Sequence, residues 1–99
     1  MKIAIVGESP CNPSGFGQQV RLLVEGFQKR NHAVECISAA WTDEKLDDVE
    51  EWRLPDLRDT AKIDEALSLI DPDVVICFWH TSGVQAFSAL KYPPGNCLV

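Results

Sequence analysis

The sequence has no long hydrophobic run, and this absence bears on membranes and export. No apolar stretch approaches the roughly 18 residues that a membrane-spanning helix needs. The apolar stretch after Met1 ends at Gly7, which is the length of a strand rather than of a signal peptide. We therefore expect a cytoplasmic protein without a membrane span.

Basic residues are also scarce, because nine Lys and Arg stand against fifteen Asp and Glu and give a net charge of −6. The imbalance lies between Asp43 and Asp73, where twelve acids accompany four bases. A chain without a basic face attracts neither nucleic acid nor an anionic membrane. We predict no nucleic-acid partner and interpret the acidic stretch as a solvated connection.

The four cysteines lack the spacing of a metal or redox motif. There is no C-x-x-C and no Cys/His pair with zinc-finger spacing, so we expect no metal site. Cys36, Cys77 and Cys97 lie in apolar, strand-like runs, where a cysteine behaves as a small hydrophobe. This usage predicts a reducing compartment without disulfides, and only Cys11, in a loop, is a candidate for reactivity.

The familiar nucleotide-binding motifs are missing as well. A G-x-G-x-x-G motif would begin at Gly7, but Ser9 and Asn12 occupy the positions of its second and third glycines. The second predicted strand ends at Ser38 instead of an acidic residue, although Glu35 lies within it, and this disfavours NAD. No Gly-Lys-Ser/Thr occurs, which excludes a P-loop.

The sequence does contain alternating strand and helix patterns over a length, 99 residues, that suits one domain spanning 1–99 or a fragment of one. Strands are predicted over 2–6, 33–38 and 74–79, with a short one near 52–54 and the start of another at 97–99. Helices are predicted over 16–30, 59–70 and 82–90. This order predicts an α/β fold with a doubly wound, Rossmann-like parallel sheet. The final predicted strand is incomplete at Val99, so we expect the amino-terminal part of a longer protein.

Two of the predicted helices carry an apolar stripe at helical spacing. The stripes are Val20, Leu23, Val24 and Phe27 in the first helix and Ile63, Ala66, Leu67 and Ile70 in the second. Asn31 can adopt the left-handed conformation that ends a helix, and Asp59 or Thr60 can cap the second one.

In a doubly wound sheet, ligands bind beyond the carboxyl ends of the strands, where the strand order reverses. We expect the loop over 7–17 and the turn over 80–83 to face each other there. Gly15 and Gly17 stand at a helix start, where backbone N–H groups can approach a phosphate or a sugar hydroxyl. A tight turn without a ligand is the alternative interpretation.

Two side chains complete the candidate site. His80 follows a buried strand and could act as a base or bind a hydroxyl. Glu8 lies near the carboxyl end of the first strand and faces the same crevice. A purely structural role is the alternative for both residues.

The run Ser14-Gly15-Phe16-Gly17 after a first strand resembles the amino-terminal start of the GT-B-fold glycosyltransferases of the retaining, group 1 type. Ser9-Pro10, Asn31-His32 and Pro72-Asp73-Val74-Val75 resemble further parts of that start. Two departures are Asn31, where glycine is usual, and His80, where many relatives have an acidic residue.

This resemblance implies the acceptor-side domain, or an incomplete part of it, of an enzyme that moves a sugar from a nucleoside-diphosphate sugar to an acceptor hydroxyl. Ser14, Gly15, Phe16 and Gly17 would form the loop facing the donor diphosphate, and Glu8 and His80 would contact hydroxyls. The carboxy-terminal domain that carries most of the nucleotide-sugar site is missing from 1–99. The chain alone is therefore expected to bind no cofactor and to be inactive.

A non-catalytic flavodoxin-like or receiver-like module is the alternative function. A receiver needs an acidic cluster after its first strand, which Glu8 alone does not supply, and an Asp where Phe78-Trp79-His80 stands. The unfinished sheet edge would invite self-association in either case.

Overall fold

The computed structural model describes residues 1–46 and 48–79 with their side chains, and the backbone of 96–98. Its strands are β1 (Lys2–Glu8), β2 (Ala33–Ala39), β3 (Glu50–Arg53), β4 (Val74–Phe78) and β5 (Asn96–Leu98). Its helices are α1 (Gly15–Lys29) and α2 (Thr60–Ile70). The helix predicted over 82–90 and the residue His80 lie outside the described residues.

The five strands form one parallel sheet in the order β3-β2-β1-β4-β5. β1 is central, and it pairs with β2 from Lys2 to Glu8 and with β4 from Ile3 to Gly7. A strand paired on both sides and covered on both faces is buried, which explains the uninterrupted apolar run at its start. The predicted α/β fold with a parallel, Rossmann-like sheet is confirmed.

Within the described residues, α1 covers one face of the sheet and α2 covers the other, because successive side chains of a strand point to opposite faces. The α1 face is built from Ile3, Ile5, Val34, Cys36 and Ile76 with Val20 and Val24 of the helix. The α2 face is built from Ala4, Val6, Ile37, Ala39, Val75 and Cys77 with Ile63, Ala66, Leu67 and Ile70 of the helix. The two apolar layers make the sheet doubly wound, as the sequence predicts.

The helix ends follow the predicted capping residues. The Asp59 carboxylate accepts a hydrogen bond from the Lys62 backbone N–H at 3.3 Å and caps α2. Asn31 follows α1 with a φ of 64°, which is the left-handed conformation expected of it. Asp71 ends α2 in the same conformation, with a φ of 50°.

The first two strands extend further than the sequence pattern indicates. β1 continues through Gly7 to Glu8 because Gly7 pairs with both Ser38 and Phe78. A Cβ at Gly7 would lie 2.4 Å from the Phe78 carbonyl oxygen, so only glycine lets the neighbouring strand approach this closely. Glu8 thereby becomes the last residue of the central strand.

The position of β3 distinguishes this sheet from a flavodoxin-like one. A flavodoxin-like sheet has the order 2-1-3-4-5, in which the second strand forms an edge. Here β3 pairs with β2 along 50–53 and lies outside it, as in the 3-2-1-4-5 order of a Rossmann sheet. The strand order therefore argues against the flavodoxin-like or receiver-like alternative.

Candidate functional site

The strand order reverses between β1 and β4, and the carboxyl ends of these strands define the candidate site. From β1 the chain adds β2 and β3 on one side, then crosses over through α2 to place β4 on the other side. Ligands of doubly wound sheets bind at this switch point. Glu8, the loop over 9–14, the start of α1 and Phe78 lie around it.

The loop between β1 and α1 is fastened to the end of β2. Ser9 is buried, and its N–H donates a hydrogen bond to the Ala39 carbonyl at 2.9 Å. The N–H of Asn12 donates to the Ser9 carbonyl at 3.0 Å, and the Asn12 side-chain amide donates to the Ala40 carbonyl. The Asn12 side-chain oxygen accepts from the Ser14 N–H at 2.9 Å. These bonds hold the loop against the end of β2.

Ser14 and Glu8 meet at the start of α1. The Ser14 hydroxyl donates to the Glu8 carboxylate and accepts from the Gly17 N–H at 3.1 Å, so Ser14 is the N-cap of the helix. A carboxylate near a helix N-terminus interacts favourably with the helix dipole. The structure thus brings together two of the residues that the sequence proposes for the site.

The two glycines of the predicted binding loop have different surroundings. A Cβ at Gly17 would lie 2.3 Å from the Asn12 carbonyl oxygen and 2.8 Å from that of Ser9, so Gly17 is required for packing. A Cβ at Gly15 would meet no described atom within 4 Å. The N–H groups of Gly15 and Phe16 have no hydrogen-bond acceptor among the described residues, as is usual in a first helical turn.

The Phe16 side chain connects the start of α1 to the end of β4. Its ring packs edge-to-face against the ring of Phe78, with centroids 5.6 Å apart and an angle of 68° between the planes. This contact joins the start of α1 to the strand that pairs with Gly7. His80, the proposed catalytic residue, and the turn over 80–83 lie outside the described residues.

The structure adds a buried polar group that the sequence analysis missed. The side chain of Glu51 is 2% exposed, and its carboxylate accepts a hydrogen bond from the Ser9 hydroxyl at 3.1 Å. Arg53 Nε lies 3.4 Å from the same carboxylate oxygen, and its guanidinium lies 5.0 Å above the Trp41 ring. Strand alternation in Glu50–Arg53 places Glu51 and Arg53 on one face, but no pattern connects them to Ser9.

The two described thiols next to the site are not activated. Burial raises the pKa of Cys11, and the negative charges of Glu51 and Glu44 raise it further. Burial raises the pKa of Cys36 to about 12. Because the thiolate is the reactive form, neither cysteine is poised as a nucleophile at neutral pH.

The described part of the chain contains neither a cluster of metal-ligand side chains nor a membrane-spanning helix. Among residues 1–46 and 48–79, no group of three or more His, Cys, Asp or Glu side chains could hold a metal ion. In the described part of the chain, neither helix combines the length and the apolar character that crossing a bilayer requires.

Comparison with known proteins gives structural similarity only. No known family matches the sequence, and no curated protein matches it. The Bordetella bronchiseptica enzyme WbmH in complex with NAD+ matches 77% of this chain with a TM-score of 0.52 and 18% identity. A putative epimerase from Burkholderia cenocepacia J2315 matches 97% with a TM-score of 0.62 and 19% identity. The chain spans 24% and 36% of those two chains, and it shares their fold.

The predicted relationship to GT-B glycosyltransferases is wrong, and so are the glycosyltransferase function and the transferase class derived from it. The similar structures are an enzyme crystallised with NAD+ and a putative epimerase. The geometry explains how the error arose. Ser14 caps α1 and Gly17 packs against the loop, so the motif that carried the resemblance describes the start of a helix. The connection from the first strand to the first helix of a Rossmann-like sheet also needs glycines, for a tight turn and for close packing of the helix.

Proposed function

We propose that this chain is the nucleotide-binding part of an NAD-dependent enzyme of the epimerase or dehydratase type. The observation that carries the proposal is the open start of α1, where Gly15 has no neighbour and two N–H groups lack an acceptor among the described residues. The position of this helix start at the switch point of the sheet supports it. The similarity in fold to WbmH, which was crystallised with NAD+, supports it as well.

The residues present supply only the phosphate-binding part of a dinucleotide site, because Ser9 and Asn12 stand where two of the fingerprint glycines belong and β2 ends without an acidic residue. The N–H groups of Gly15 and Phe16, with the dipole of α1, would hold a phosphate, and Ser14 and Gly17 would keep the helix start in place. Ala39 ends β2 and Ala40 follows it, and their small side chains take up little space there. When bound, NAD+ would supply a hydride acceptor, while this chain would bind and orient it.

Glu8 is the residue that fits a phosphate least. Its carboxylate already lies at the start of α1 through the Ser14 hydroxyl, so it would repel a phosphate bound there. A carboxylate accepts hydrogen bonds from hydroxyl groups, and in this proposal Glu8 takes one from a ribose. The repulsion between Glu8 and the phosphate would offset part of the affinity gained from the ribose hydrogen bond.

The remaining parts of the proposal concern the whole protein. Most of WbmH and of the putative epimerase lies outside the region that this chain matches. We place the catalytic machinery beyond residues 1–99, in a cytoplasmic enzyme, with His80 as a residue that contacts the substrate hydroxyl. The outer edge of β5 is proposed to pair with a further strand or a second copy.

The proposal is tested by calorimetric titration of NAD+ into the full-length protein and its Gly15→Val variant. The added side chain would occupy the space next to the two N–H groups, so we expect affinity to fall by about tenfold or more, or ~1.4 kcal/mol. Gly26→Val is the matched control, because it makes the same change in α1 at another position without neighbours within 4 Å.

Equal NAD+ affinity in the wild type and the Gly15→Val variant would exclude the helix start from the site. No detectable binding of NAD+ to the wild type would overturn the proposed function. A double variant that includes Gly17 is a poor test, since a side chain there collides with the loop backbone whether or not a ligand binds.

A further inference from the structure

Glu51 is a buried carboxylate at the edge of the sheet, and the proposed function assigns it no role. It lies on β3, the short outer strand, yet its side chain is 2% exposed. A carboxylate removed from water is tolerated in a fold when other groups pair with it. Two groups do so here, Ser9 on one side and Arg53 on the other.

The first partner connects Glu51 to the loop between β1 and α1. The Ser9 hydroxyl donates to Glu51 Oε1 at 3.1 Å and accepts from the Cys11 N–H at 3.3 Å. The Ser9 carbonyl accepts from the Asn12 N–H and is one of the two oxygens packed against Gly17. The hydrogen bond that Ser9 donates to Glu51 therefore orients the residue on which the start of α1 packs.

The second partner connects Glu51 to the segment that follows β2. Arg53 Nε lies 3.4 Å from Glu51 Oε1, and its Nη2 donates to the Glu44 carbonyl at 3.0 Å. The same guanidinium lies over the ring of Trp41, which is 47% exposed. Glu51 thus holds the arginine that fastens residues 41–44 to the sheet.

We propose that Glu51 is a positioning residue that fixes both rims of the crevice at the carboxyl ends of β1 and β2. It acts on the loop through Ser9 and on the segment after β2 through Arg53, without touching a ligand. Its effect on ligand affinity rests on the proposed function, whereas its effect on the two rims does not.

The two contacts of the Glu51 carboxylate can be tested separately, because Ser9 needs a hydrogen-bond acceptor and Arg53 needs a negative charge. Gln in place of Glu51 keeps a side-chain oxygen that accepts from Ser9 but removes the charge that attracts Arg53. Ala in place of Glu51 removes both contacts, and Ala in place of Ser9 removes only the first. Glu50→Gln is the matched control, because Glu50 precedes Glu51 on the same strand and is exposed.

The experiment follows each rim separately in the full-length protein. Hydrogen exchange of the Cys11 and Asn12 amides reports on the loop, and acrylamide quenching of tryptophan fluorescence, taken as the difference from a Trp41→Phe variant, reports on Trp41, which is 47% exposed. We expect Ser9→Ala to speed exchange of the two amides by about tenfold and to leave quenching unchanged. Glu51→Gln should increase quenching alone, and Glu51→Ala should change both.

NAD+ titration then tests the consequence for binding, with affinity about tenfold lower in Glu51→Ala and unchanged in Glu50→Gln. Unchanged amide exchange and quenching in Glu51→Ala would overturn the inference. So would faster exchange spread evenly over β1, β2 and α2, which is the sign of a role in stability alone. If the wild type binds no NAD+, the proposed function fails, and exchange and quenching still decide the role of Glu51.

Discussion

At the scale of single residues, the smallest side chains determine the geometry of the site. Gly7 lets β4 approach β1, Gly17 lets the loop pack under α1, and Ser14 caps the helix that begins there. Gly15 differs because a Cβ there would meet no described atom within 4 Å. Glycine therefore permits close packing at Gly7 and Gly17, whereas at Gly15 it leaves the start of α1 open.

This difference predicts opposite outcomes for two alanine substitutions. Gly17→Ala should lower the free energy of unfolding by about 1–3 kcal/mol, because its Cβ overlaps two carbonyl oxygens that belong to a hydrogen-bonded loop. Gly15→Ala should be neutral or stabilising by up to about 1 kcal/mol, since alanine favours helix and meets no neighbour. Urea denaturation monitored by circular dichroism measures both, and equal stability of the two variants would contradict the packing argument.

Glu8 gives a prediction about charge. Replacing it by Gln keeps an acceptor for the Ser14 hydroxyl and removes the negative charge from the start of α1. If a phosphate binds at that helix start, NAD+ affinity should rise by about five- to tenfold, or ~1–1.4 kcal/mol. Glu25→Gln, an exposed change on the same helix, should leave affinity unaltered. Weaker binding by Glu8→Gln would mean that the carboxylate contributes more as an acceptor than it costs as a charge.

At the scale of elements, α2 could be predicted from the sequence almost completely, whereas β3 could be predicted only approximately, as a short strand near 52–54. The cap at Asp59 and the apolar stripe that ends at Ile70 are local signals, and the structure follows both. The four residues of β3 include three charged ones and no apolar run. Their strand conformation depends on pairing with β2, and the burial of Glu51 depends on a loop 42 residues earlier in the chain.

The end of α2 gives a prediction at this scale. Asp71 has a φ of 50°, which is the left-handed conformation. Residues with a Cβ are disfavoured in this conformation, whereas glycine adopts it readily. Asp71→Gly should raise the free energy of unfolding by about 0.5–1 kcal/mol, whereas Asp71→Ala should lower it. Thermal unfolding of the three proteins should rank them Gly, Asp, Ala, and a glycine variant less stable than the alanine variant would contradict the assigned backbone strain.

At the scale of the whole molecule, the fold was predictable and the type of enzyme was not. Alternating apolar runs and amphipathic stripes predict a doubly wound sheet, because each strand and helix must cover the other. The glycosyltransferase prediction depended on Ser14-Gly15-Phe16-Gly17, whose observed contacts are those of a helix start. His80 and the turn after it lie outside the described residues, so the second side of the predicted crevice stays a prediction.

Whole-molecule stability should depend on alkaline pH through Cys36. The folded state raises the pKa of this thiol from 9.0 to about 12 by burying it, so above pH 9.0 the unfolded state binds fewer protons. The stabilising effect is complete below that pH and is lost as pH rises toward about 12, by up to about tenfold in the folding equilibrium constant per pH unit. Urea denaturation at increasing pH should show a shallower decline for Cys36→Ala, and parallel declines would refute the assignment.

The central position of β1 has a consequence for synthesis on the ribosome. Ile3 pairs with Val74, so the middle of the sheet joins β1 with a strand that is made about 70 residues later. At roughly 5–20 residues per second, Ile3 to Val6 wait several seconds without their β4 partner. During that interval the apolar edge of β1 is exposed to chaperones and to other chains.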